Sequence, residues 1–416
     1  MTSFVVVGGG VAGLVTARRL ALGGATVALL EASDRLGGTV THHVVGGLVL
    51  DAGAESFAVR GDTVAELATE LGLGDEIVIP NPAGAWLQRV RGAVALPATS
   101  LLGIPGVPLA ADVIDVVGFG AALRAYLETL LPGTVAAGSA TLGELVRRRM
   151  GQRMLDELVA PVTHGVHSQH PDDLPLDRVA PGLRSALRRS GSLAAAVREL
   201  RASAPAGAAV AGIRGGVHRL VDELTADLER LGVDVRLGVR GEATGHGDAR
   251  VVLAFPPAHG SSTPVELATL VVDAPGLDVA PRGSGVLVAN GVPGIRSRAL
   301  THATAKWRWL ADRAEGKHVL RLSYAEAPEN LADIAREDAA ALLGIELPPS
   351  AVLDFARVHW DRPRAAPAQV EGVTQVGEVA SGTGLANVVA HAERTARELL
   401  EPPVPGEVPV EELPEV

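Results

Sequence analysis

The first chemically suggestive residues of the sequence are glycines that follow a short run of valines. Residues 4–20 read FVVVGGGVAGLVTARRL and contain Gly8, Gly10 and Gly13 in a G-x-G-x-x-G spacing. Glycine costs a helix about 0.5–1 kcal/mol relative to alanine, so this cluster indicates a sharp turn or a ligand that must touch the backbone. The apolar run at 4–7 predicts a buried strand, and the apolar spacing over 11–22 predicts a helix.

A second strand, predicted over 25–30, completes the βαβ unit that a dinucleotide-binding site requires. In such a unit Gly8 makes the turn, Gly10 lets the backbone approach a pyrophosphate, and Gly13 lets helix and strand pack closely. The N–H groups at the start of the helix then face the phosphates. Glu31 ends the second strand, where a carboxylate binds a ribose and repels the 2′-phosphate of NADP. The alternative is an ordinary glycine-rich turn.

The residues after Glu31 distinguish between dinucleotides. The stretch EASDRLGGTV contains Arg35, Gly37 and Gly38 and resembles the E-x3-R-x-G-G extension of the amine oxidase-like flavoprotein superfamily. The segment DAGAESF at 51–57, with a helix predicted over 63–71 and then L-G-L-x-D, resembles the porphyrinogen oxidase branch. That branch includes protoporphyrinogen oxidases and bacterial coproporphyrinogen III oxidases. Further resemblances to it lie at 161–183, 215–243 and 301–324. The resemblance implies FAD rather than NAD.

A second glycine-rich corner lies near the C-terminus. The stretch VGEVASGTGLANVVAHAERTARELL predicts a strand, a turn and a helix, and Gly377, Gly382 and Gly384 match the family's G-x4-G-x-G spacing. In these flavoproteins the helix N-terminus points at the O2 region of the flavin, where its partial positive charge favours the reduced anion. A strand–turn–helix without a ligand is the alternative. The resemblance implies cofactor contacts at Gly8, Gly10, Val11, Ala12, Gly13, Glu31, Ala32, Arg35, Gly37, Gly38, Gly53, Ala54, Glu55, Ser56, Val239, Gly377, Glu378, Gly384 and Leu385.

The expected fold class is α/β, and the order of the motifs predicts a discontinuous Rossmann-like FAD-binding domain. We assign residues 1–58, 208–258 and 350–400 to that domain. An inserted α+β substrate-binding domain is expected from 59–80 and 259–349, and a mostly helical insertion from 81–207. The proline-rich, acidic residues 401–416 predict a disordered tail.

The resemblance implies an FAD-dependent oxidase that dehydrogenates coproporphyrinogen III to coproporphyrin III in heme biosynthesis, with hydride passing to flavin N5 and molecular oxygen as acceptor. The cofactor carries this chemistry, so no catalytic side chain is assigned. The porphyrinogen bears propionates, which arginine and lysine bind well. The candidate substrate-binding residues are Arg60, Arg184, Lys306, Arg321, His164 and His167. Each has a structural alternative, namely a salt-bridged surface cation or a partly buried, hydrogen-bonded histidine.

Composition excludes several functions. The formal net charge of −11 argues against nucleic acid as a partner. Cysteine is absent, which excludes disulfides and thiolate ligands and fits a cytoplasmic location, and no metal-binding spacing is evident. The apolar stretch at 101–123 is interrupted by Pro105, Pro108, Asp112 and Asp115, so at most peripheral membrane contact is expected. The oligomeric state stays open.

Four alternatives remain. The first is oxidation of protoporphyrinogen IX; we favour coproporphyrinogen because its four carboxylates make it the water-soluble substrate. An amine oxidase typically cages its substrate between two aromatics, and the only tyrosines here are Tyr126 and Tyr324. A carotenoid-type desaturase would need no cations for its apolar substrate. A non-catalytic FAD-binding paralogue is the last.

Overall fold

The structure is a computed structural model that describes residues 2–59, 61–82, 84–167, 169–202, 210–242, 246–255, 262–363 and 373–401. Its helices, numbered in chain order, are α1 Val11–Leu22, α2 Thr63–Glu70, α3 Ala111–Val117, α4 Phe119–Tyr126, α5 Leu142–Met150, α6 Gln152–Met154, α7 Ala160–His167, α8 Leu176–Val179, α9 Leu183–Ser190, α10 Leu193–Ala202, α11 Arg219–Arg230, α12 Ala303–Lys306, α13 Arg308–Ala314, α14 Leu331–Leu343, α15 Glu378–Ser381 and α16 Leu385–Leu400.

The strands are β1 Ser3–Val7, β2 Thr26–Leu30, β3 His42–Val45, β4 Leu48–Asp51, β5 Phe57–Ala58, β6 Ile77–Val78, β7 Trp86–Arg89, β8 Gly92–Ala95, β9 Ser100–Leu101, β10 Ile104–Pro105, β11 Val210–Ile213, β12 Asp234–Arg236, β13 Arg250–Leu253, β14 Ser262–Val272, β15 Gly285–Val288, β16 Ala299–His302, β17 His318–Tyr324, β18 Val352–Pro363 and β19 Thr374–Gln375.

A parallel five-stranded sheet contains both glycine-rich corners. The predicted βαβ unit is confirmed as β1, α1 and β2, and the strand order is β12-β2-β1-β13-β19. Helices α1, α11 and α16 share a core with these strands, in which Phe4, Leu14, Leu224 and Val389 are almost wholly buried. Three distant parts of the chain therefore build one sheet, as expected for an α/β fold with a discontinuous nucleotide-binding unit.

A seven-stranded sheet forms a second layer, in the order β18-β14-β17-β16-β15-β7-β8. All neighbours in it are antiparallel except β15 and β7. Helix α14 packs against Leu320 and Leu322 of β17. A separate core joins Val319, which precedes Leu320 in the same strand, to the β3–β4 hairpin and to α13. Because side chains alternate along a strand, β17 presents one set to α14 and the other to the hairpin.

The helical insertion, α3 to α10, is organised around a buried ion pair. The Arg149 guanidinium donates to the Glu128 carboxylate at 2.7 Å, and both side chains are 0% exposed. Arg149 also donates to backbone carbonyls, including that of Gly191 at 2.8 Å. Glu128 in turn accepts from the backbone N–H groups of Leu193 and Ala194, each at 3.0 Å, which caps α10. This pair therefore joins α5, the segment after α4, and the start of α10.

The structure differs from the predicted boundaries in three places. Residues 59–80 include α2, whose apolar face packs into the core of the five-stranded sheet rather than into the substrate domain. Residues 81–207 begin with β7 and β8, which extend the seven-stranded sheet. Residues 350–400 begin with β18, which pairs along the whole of β14. The position of α2, β7, β8 and β18 is set by the apolar surface or strand edge that each of them packs against. The order of motifs along the sequence does not contain this information.

The apolar stretch at 101–123 forms β10, α3 and part of α4, with Pro105 in β10 and both Asp112 and Asp115 within α3. Val113, Val116 and Val117 of α3 are buried in the helical insertion. Among the described residues, no helix is both long and apolar enough to cross a bilayer.

We predict that Arg149→Met lowers the free energy of unfolding by about 3–5 kcal/mol, because it leaves the Glu128 carboxylate buried without its cation. The matched control is Arg148→Met on the same helix. Arg148 is 57% exposed and pairs with Glu144 one turn away, so its loss is expected to cost less than about 1 kcal/mol. Urea unfolding followed by circular dichroism measures both. Equal losses in the two variants would contradict the role of the buried pair.

Candidate functional site

The first glycine corner lies at the end of β1 and has the geometry that a dinucleotide needs. Gly8 has a φ of +109°, which side-chain-bearing residues rarely adopt, and a Cβ on Gly13 would overlap the carbonyl oxygen of Gly8. By contrast, a Cβ on Gly10 would meet no atom of the protein within 4 Å. Helix α1 has no side-chain cap and no acidic residue in its first turn, so its first N–H groups are available to a ligand. Val11 and Ala12 begin this turn.

Glu31 is bound to the same corner through its own carboxylate. Its Oε2 accepts from the backbone N–H of Gly9 at 2.5 Å, and its Oε1 accepts from the N–H of Ser33 at 2.8 Å. Partial burial alone would raise the pKa of Glu31, but these N–H donors outweigh it and hold the pKa below its usual value. The carboxylate is therefore ionised at neutral pH and lies at the end of β2, beside the glycine turn.

The remaining residues expected near the adenosine and pyrophosphate are close neighbours of this corner. The N–H of Gly37 donates to the carbonyl of Gly9 at 2.8 Å, and Val239 donates its N–H to the carbonyl of Glu31 at 2.9 Å. Ala32 directly follows Glu31. Arg35 donates to the carbonyl of Gly38 at 3.0 Å, so its guanidinium stabilises the turn formed by residues 35–38.

The C-terminal corner meets the N-terminal one in space. The position of a Cβ on Gly377 lies 3.6 Å from the Cβ of Ala12 and 3.6 Å from the carbonyl oxygen of Ala254. The N–H of Val376 donates to the carbonyl of Leu253 at 2.8 Å, which attaches β19 to β13. Gly384 has a φ of +102° and open space at its Cβ position. The two ends of the chain thus form one cradle with backbone exposed on both sides, which fits a flavin dinucleotide.

Glu378 and Leu385 start the two helices of the C-terminal corner, α15 and α16. Glu378 is partly buried, and this burial raises the pKa of its carboxyl above the usual value although Arg362 lies 3.6 Å away. The Glu378 carboxyl therefore releases its proton less readily than an exposed glutamate does.

Asp51, which the sequence analysis placed only in a backbone segment, holds that segment through its side chain. Its carboxylate accepts from the N–H groups of Val217 and His218, each at 2.9 Å, and pairs with the Nδ1 of His218 at 2.8 Å. These residues directly precede α11, so Asp51 ties the expected flavin-lining segment Gly53, Ala54, Glu55 and Ser56 to the nucleotide-binding core. The feature of the sequence that could have indicated this role is the position of Asp51, a charged residue at the end of an apolar strand.

Glu55 joins the two layers of the molecule through its side chain. Its carboxylate accepts from Lys306 at 2.6 Å and from Arg321 at 2.9 Å. Arg321 also donates to the backbone carbonyls of Ala52 and Gly53 at 3.1 and 2.7 Å. Burial alone would raise the pKa of Glu55, but the two cations lower it to about 2. We call Glu55, Lys306 and Arg321 the interlayer triad.

This triad gives Lys306 and Arg321 a partner within the chain, and their expected role in substrate binding stays a prediction. The sequence analysis offered both as cations for substrate carboxylates, whereas the structure engages both with a carboxylate of the chain itself. The physical reason is that the Glu55 side chain is only 15% exposed and a shielded charge requires compensation. The sequence analysis had considered only the backbone at Glu55.

Arg184 likewise has a partner within the chain. It pairs with Asp177 at 2.9 Å and donates to the carbonyls of Ala137 and Ser139. These contacts fix the loops of the helical insertion, which is the structural alternative considered for Arg184.

The histidine candidates lie on α7 of the helical insertion. His164 Nδ1 is 2.8 Å from the carbonyl of Ala160 in its own helix, and burial lowers the pKa of its imidazole. His167 is the last residue of α7. Arg60 lies outside the described residues. The functions expected of all these side chains stay predictions.

Comparisons with known proteins agree with this geometry. The sequence profile described as "Flavin containing amine oxidoreductase" matches residues 11–265. A Mycobacterium bovis protein named coproporphyrinogen III oxidase is 30% identical over 365 residues, which is 81% of this chain and 79% of the relative. The chloroplastic protoporphyrinogen oxidase 1 of Arabidopsis thaliana is 25% identical over 255 residues, covering 57% of this chain and 45% of that protein.

Solved structures share the fold. A crystal structure of an Exiguobacterium protein, provisionally named a protoporphyrinogen oxidase, superposes with a TM-score of 0.77 at 22% identity, covering 96% of this chain and 98% of that one. Cyclohexylamine oxidase from Brevibacterium oxydans superposes with a TM-score of 0.64 at 14% identity, covering 96% and 98%. The expected α/β class and the resemblance to flavin-dependent oxidoreductases are confirmed, and the family implies a flavin cofactor.

We predict that Gly10→Ala leaves the cofactor-free fold intact but weakens FAD binding tenfold or more, equivalent to about 1.4 kcal/mol. The added methyl meets no protein atom and would enter the space expected for the pyrophosphate. The control is Gly120→Ala in α4, whose Cβ position is equally open. Fluorescence titration of the cofactor-free proteins with FAD measures affinity, and thermal unfolding checks the fold. Unchanged affinity in Gly10→Ala would place the cofactor elsewhere.

We predict that Glu55→Gln lowers the free energy of unfolding at neutral pH by about 3–5 kcal/mol, because both cations lose their charged partner. Its pH dependence should also change. The folded-state pKa of Glu55 lies below its ordinary value, so its stabilisation is complete above about pH 4.5 and falls as the pH drops toward 2, by on the order of 3 kcal/mol.

Urea unfolding at a series of pH values tests the interlayer triad. The loss of stability on acidification should be smaller in Glu55→Gln than in the wild type. Parallel pH profiles for the two proteins would show that Glu55 is not the titrating group.

Proposed function

The chain belongs to the flavin containing amine oxidoreductase family, and from this premise we propose that it is an FAD-dependent oxidase that converts coproporphyrinogen III to coproporphyrin III. The observation that carries the proposal is the contact between the two glycine corners, with Gly377 against Ala12. Relatives that are 30% identical over four-fifths of the chain carry the coproporphyrinogen III oxidase name. The nucleotide-binding unit would comprise the five-stranded sheet, and the helical insertion and the seven-stranded sheet would enclose the substrate.

When bound, FAD would supply a two-electron acceptor for the hydride that leaves a bridging carbon, while a pyrrole N–H loses its proton and molecular oxygen finally takes the electrons as hydrogen peroxide. The work of the protein is then to bind and to orient. In this proposal the N-terminal corner holds the pyrophosphate, Glu31 the ribose, and Gly53 to Ser56 line the flavin ring. Asp51 and the interlayer triad keep that lining segment in place.

The side chains near the proposed flavin site serve to position the backbone and to form hydrogen bonds. Lys306 and Arg321 are both ion-paired with Glu55, and Arg321 also donates to the backbone carbonyl of Gly53, so the pair positions this segment. Glu378 at the start of α15 is a carboxyl whose pKa burial raises, so it suits a hydrogen-bonding role beside the flavin. Orientation of the reacting carbon about 3–3.5 Å from the acceptor atom then accounts for the catalysis.

The positions of the two tyrosines argue against an amine substrate. Tyr126 is 46% exposed on α4, and Tyr324 is buried between the seven-stranded sheet and α14. These environments, an exposed helix face for Tyr126 and the core beside α14 for Tyr324, do not favour a pair of aromatic walls around an amine. Protoporphyrinogen IX is the second candidate substrate, because the Arabidopsis relative is named a protoporphyrinogen oxidase.

A carboxylated substrate and a chain without cysteine suit the cytoplasm.

We predict that anaerobic coproporphyrinogen III bleaches the visible flavin absorption of the purified protein and that air restores it. In air, porphyrin fluorescence should rise with about three hydrogen peroxide molecules per porphyrin formed, one for each two-electron step. Protoporphyrinogen IX is assayed side by side, and we expect a lower kcat/KM for it.

The reverse preference would identify protoporphyrinogen IX as the substrate. Bound FAD that neither porphyrinogen bleaches would contradict the oxidase and favour a paralogue without turnover. A protein bleached without peroxide formation would need an acceptor other than oxygen.

A further inference from the structure

We propose that Arg178, on α8 of the helical insertion, is the cation that binds a carboxylate of the substrate at the C-terminal glycine corner. This inference rests on the proposed function, since it is the porphyrinogen that brings the carboxylates. It makes Arg178 a determinant of substrate binding that the sequence analysis did not single out.

The position of Arg178 is the first argument. Its Cγ and Cδ lie 3.2 and 3.1 Å from the point that a Cβ on Gly382 would occupy, and its Nε lies 3.6 Å from that point. Gly382 ends α15, has a φ of +85°, and is two residues from Gly384 with its open Cβ position. Arg178 of the helical insertion therefore packs against the C-terminal glycine corner. A side chain at position 382 would push the arginine side chain away from its present place.

The second argument is that the candidate cations Lys306, Arg321 and Arg184, which the structure describes, are engaged within the chain. Lys306 and Arg321 pair with Glu55, and Arg184 pairs with Asp177. Arg362, another cation near this corner, lies 3.6 Å from Glu378. A substrate with carboxylates needs a cation that is not already neutralised, because charge-assisted hydrogen bonds supply its specific affinity in a protein of net charge −11.

The third argument is that the guanidinium of Arg178 is left without a carboxylate partner among the described residues and can therefore bind a ligand carboxylate. Its sequence neighbour Asp177 accepts two hydrogen bonds from Arg184, at 3.0 and 2.9 Å, and is thereby held in another pair. Arg178 is exposed, and no carboxylate among the described residues forms an ion pair with it. Its planar guanidinium can bind a carboxylate through two parallel hydrogen bonds, which an ammonium group cannot do.

The test uses the flavin-loaded protein and coproporphyrin III, the product, as a stable probe. Binding is followed by fluorescence titration for the wild type, Arg178→Ala and Arg178→Lys. The control Arg91→Ala removes another exposed arginine at the β7–β8 turn. We expect Arg178→Ala to raise Kd about 10–100-fold, the range for losing a charged hydrogen bond. Arg178→Lys should be intermediate and Arg91→Ala within about twofold of the wild type.

Steady-state oxidation gives the second readout. Arg178→Ala should raise KM by a similar factor while kcat, flavin content and flavin midpoint potential stay near wild-type values. A shifted midpoint potential with unchanged Kd would overturn the inference and assign Arg178 to the flavin instead. An Arg178→Ala variant that keeps both the wild-type Kd and the wild-type oxidase activity would overturn this inference but leave the proposed function intact. A wild-type protein that neither binds coproporphyrin III nor oxidises either porphyrinogen would overturn it together with the proposed function.

Discussion

The structure depends on one steric constraint: three backbone segments far apart in sequence must approach one another without intervening side chains. Gly8 at the end of β1 lies against Ala254 after β13, and Gly377 after β19 lies against Ala12 and Ala254. A Cβ on Gly8 would come within 3.1 Å of the Ala254 backbone, and the positive φ of Gly8 and Gly377 favours glycine at both positions. Small residues at these points leave the cradle lined by backbone N–H groups, which suit a phosphate-bearing cofactor.

Buried or shielded charges then fix the other layers on this cradle. Asp51 connects the lining segment to α11, Glu55 connects it to the seven-stranded sheet, and the Glu128–Arg149 pair organises the helical insertion. Each charge would be unfavourable alone, so each demands a particular partner at a particular distance. The partners lie between about 20 and 270 positions away along the chain. Such pairs therefore specify how the layers meet.

Local patterns predicted the local structure, and the limits of that prediction have a physical cause. The strand–helix–strand unit at the N-terminus follows from apolar periodicity and glycine spacing, which act within about 30 residues. The partners of Lys306, Arg321 and Arg184 depend on contacts across the fold, so the sequence showed the cations but not that Glu55 and Asp177 engage them. The pairing of β18 with β14 was missed for the same reason. Arg178 became a candidate only through its contact with Gly382.

The central claim is that the two glycine corners together hold one flavin dinucleotide. Titration of the cofactor-free protein with FAD, monitored by quenching of flavin fluorescence, tests it most directly. The account predicts saturation at one FAD per chain. A titration without saturable binding, or one that saturates with a nicotinamide dinucleotide instead, would contradict it.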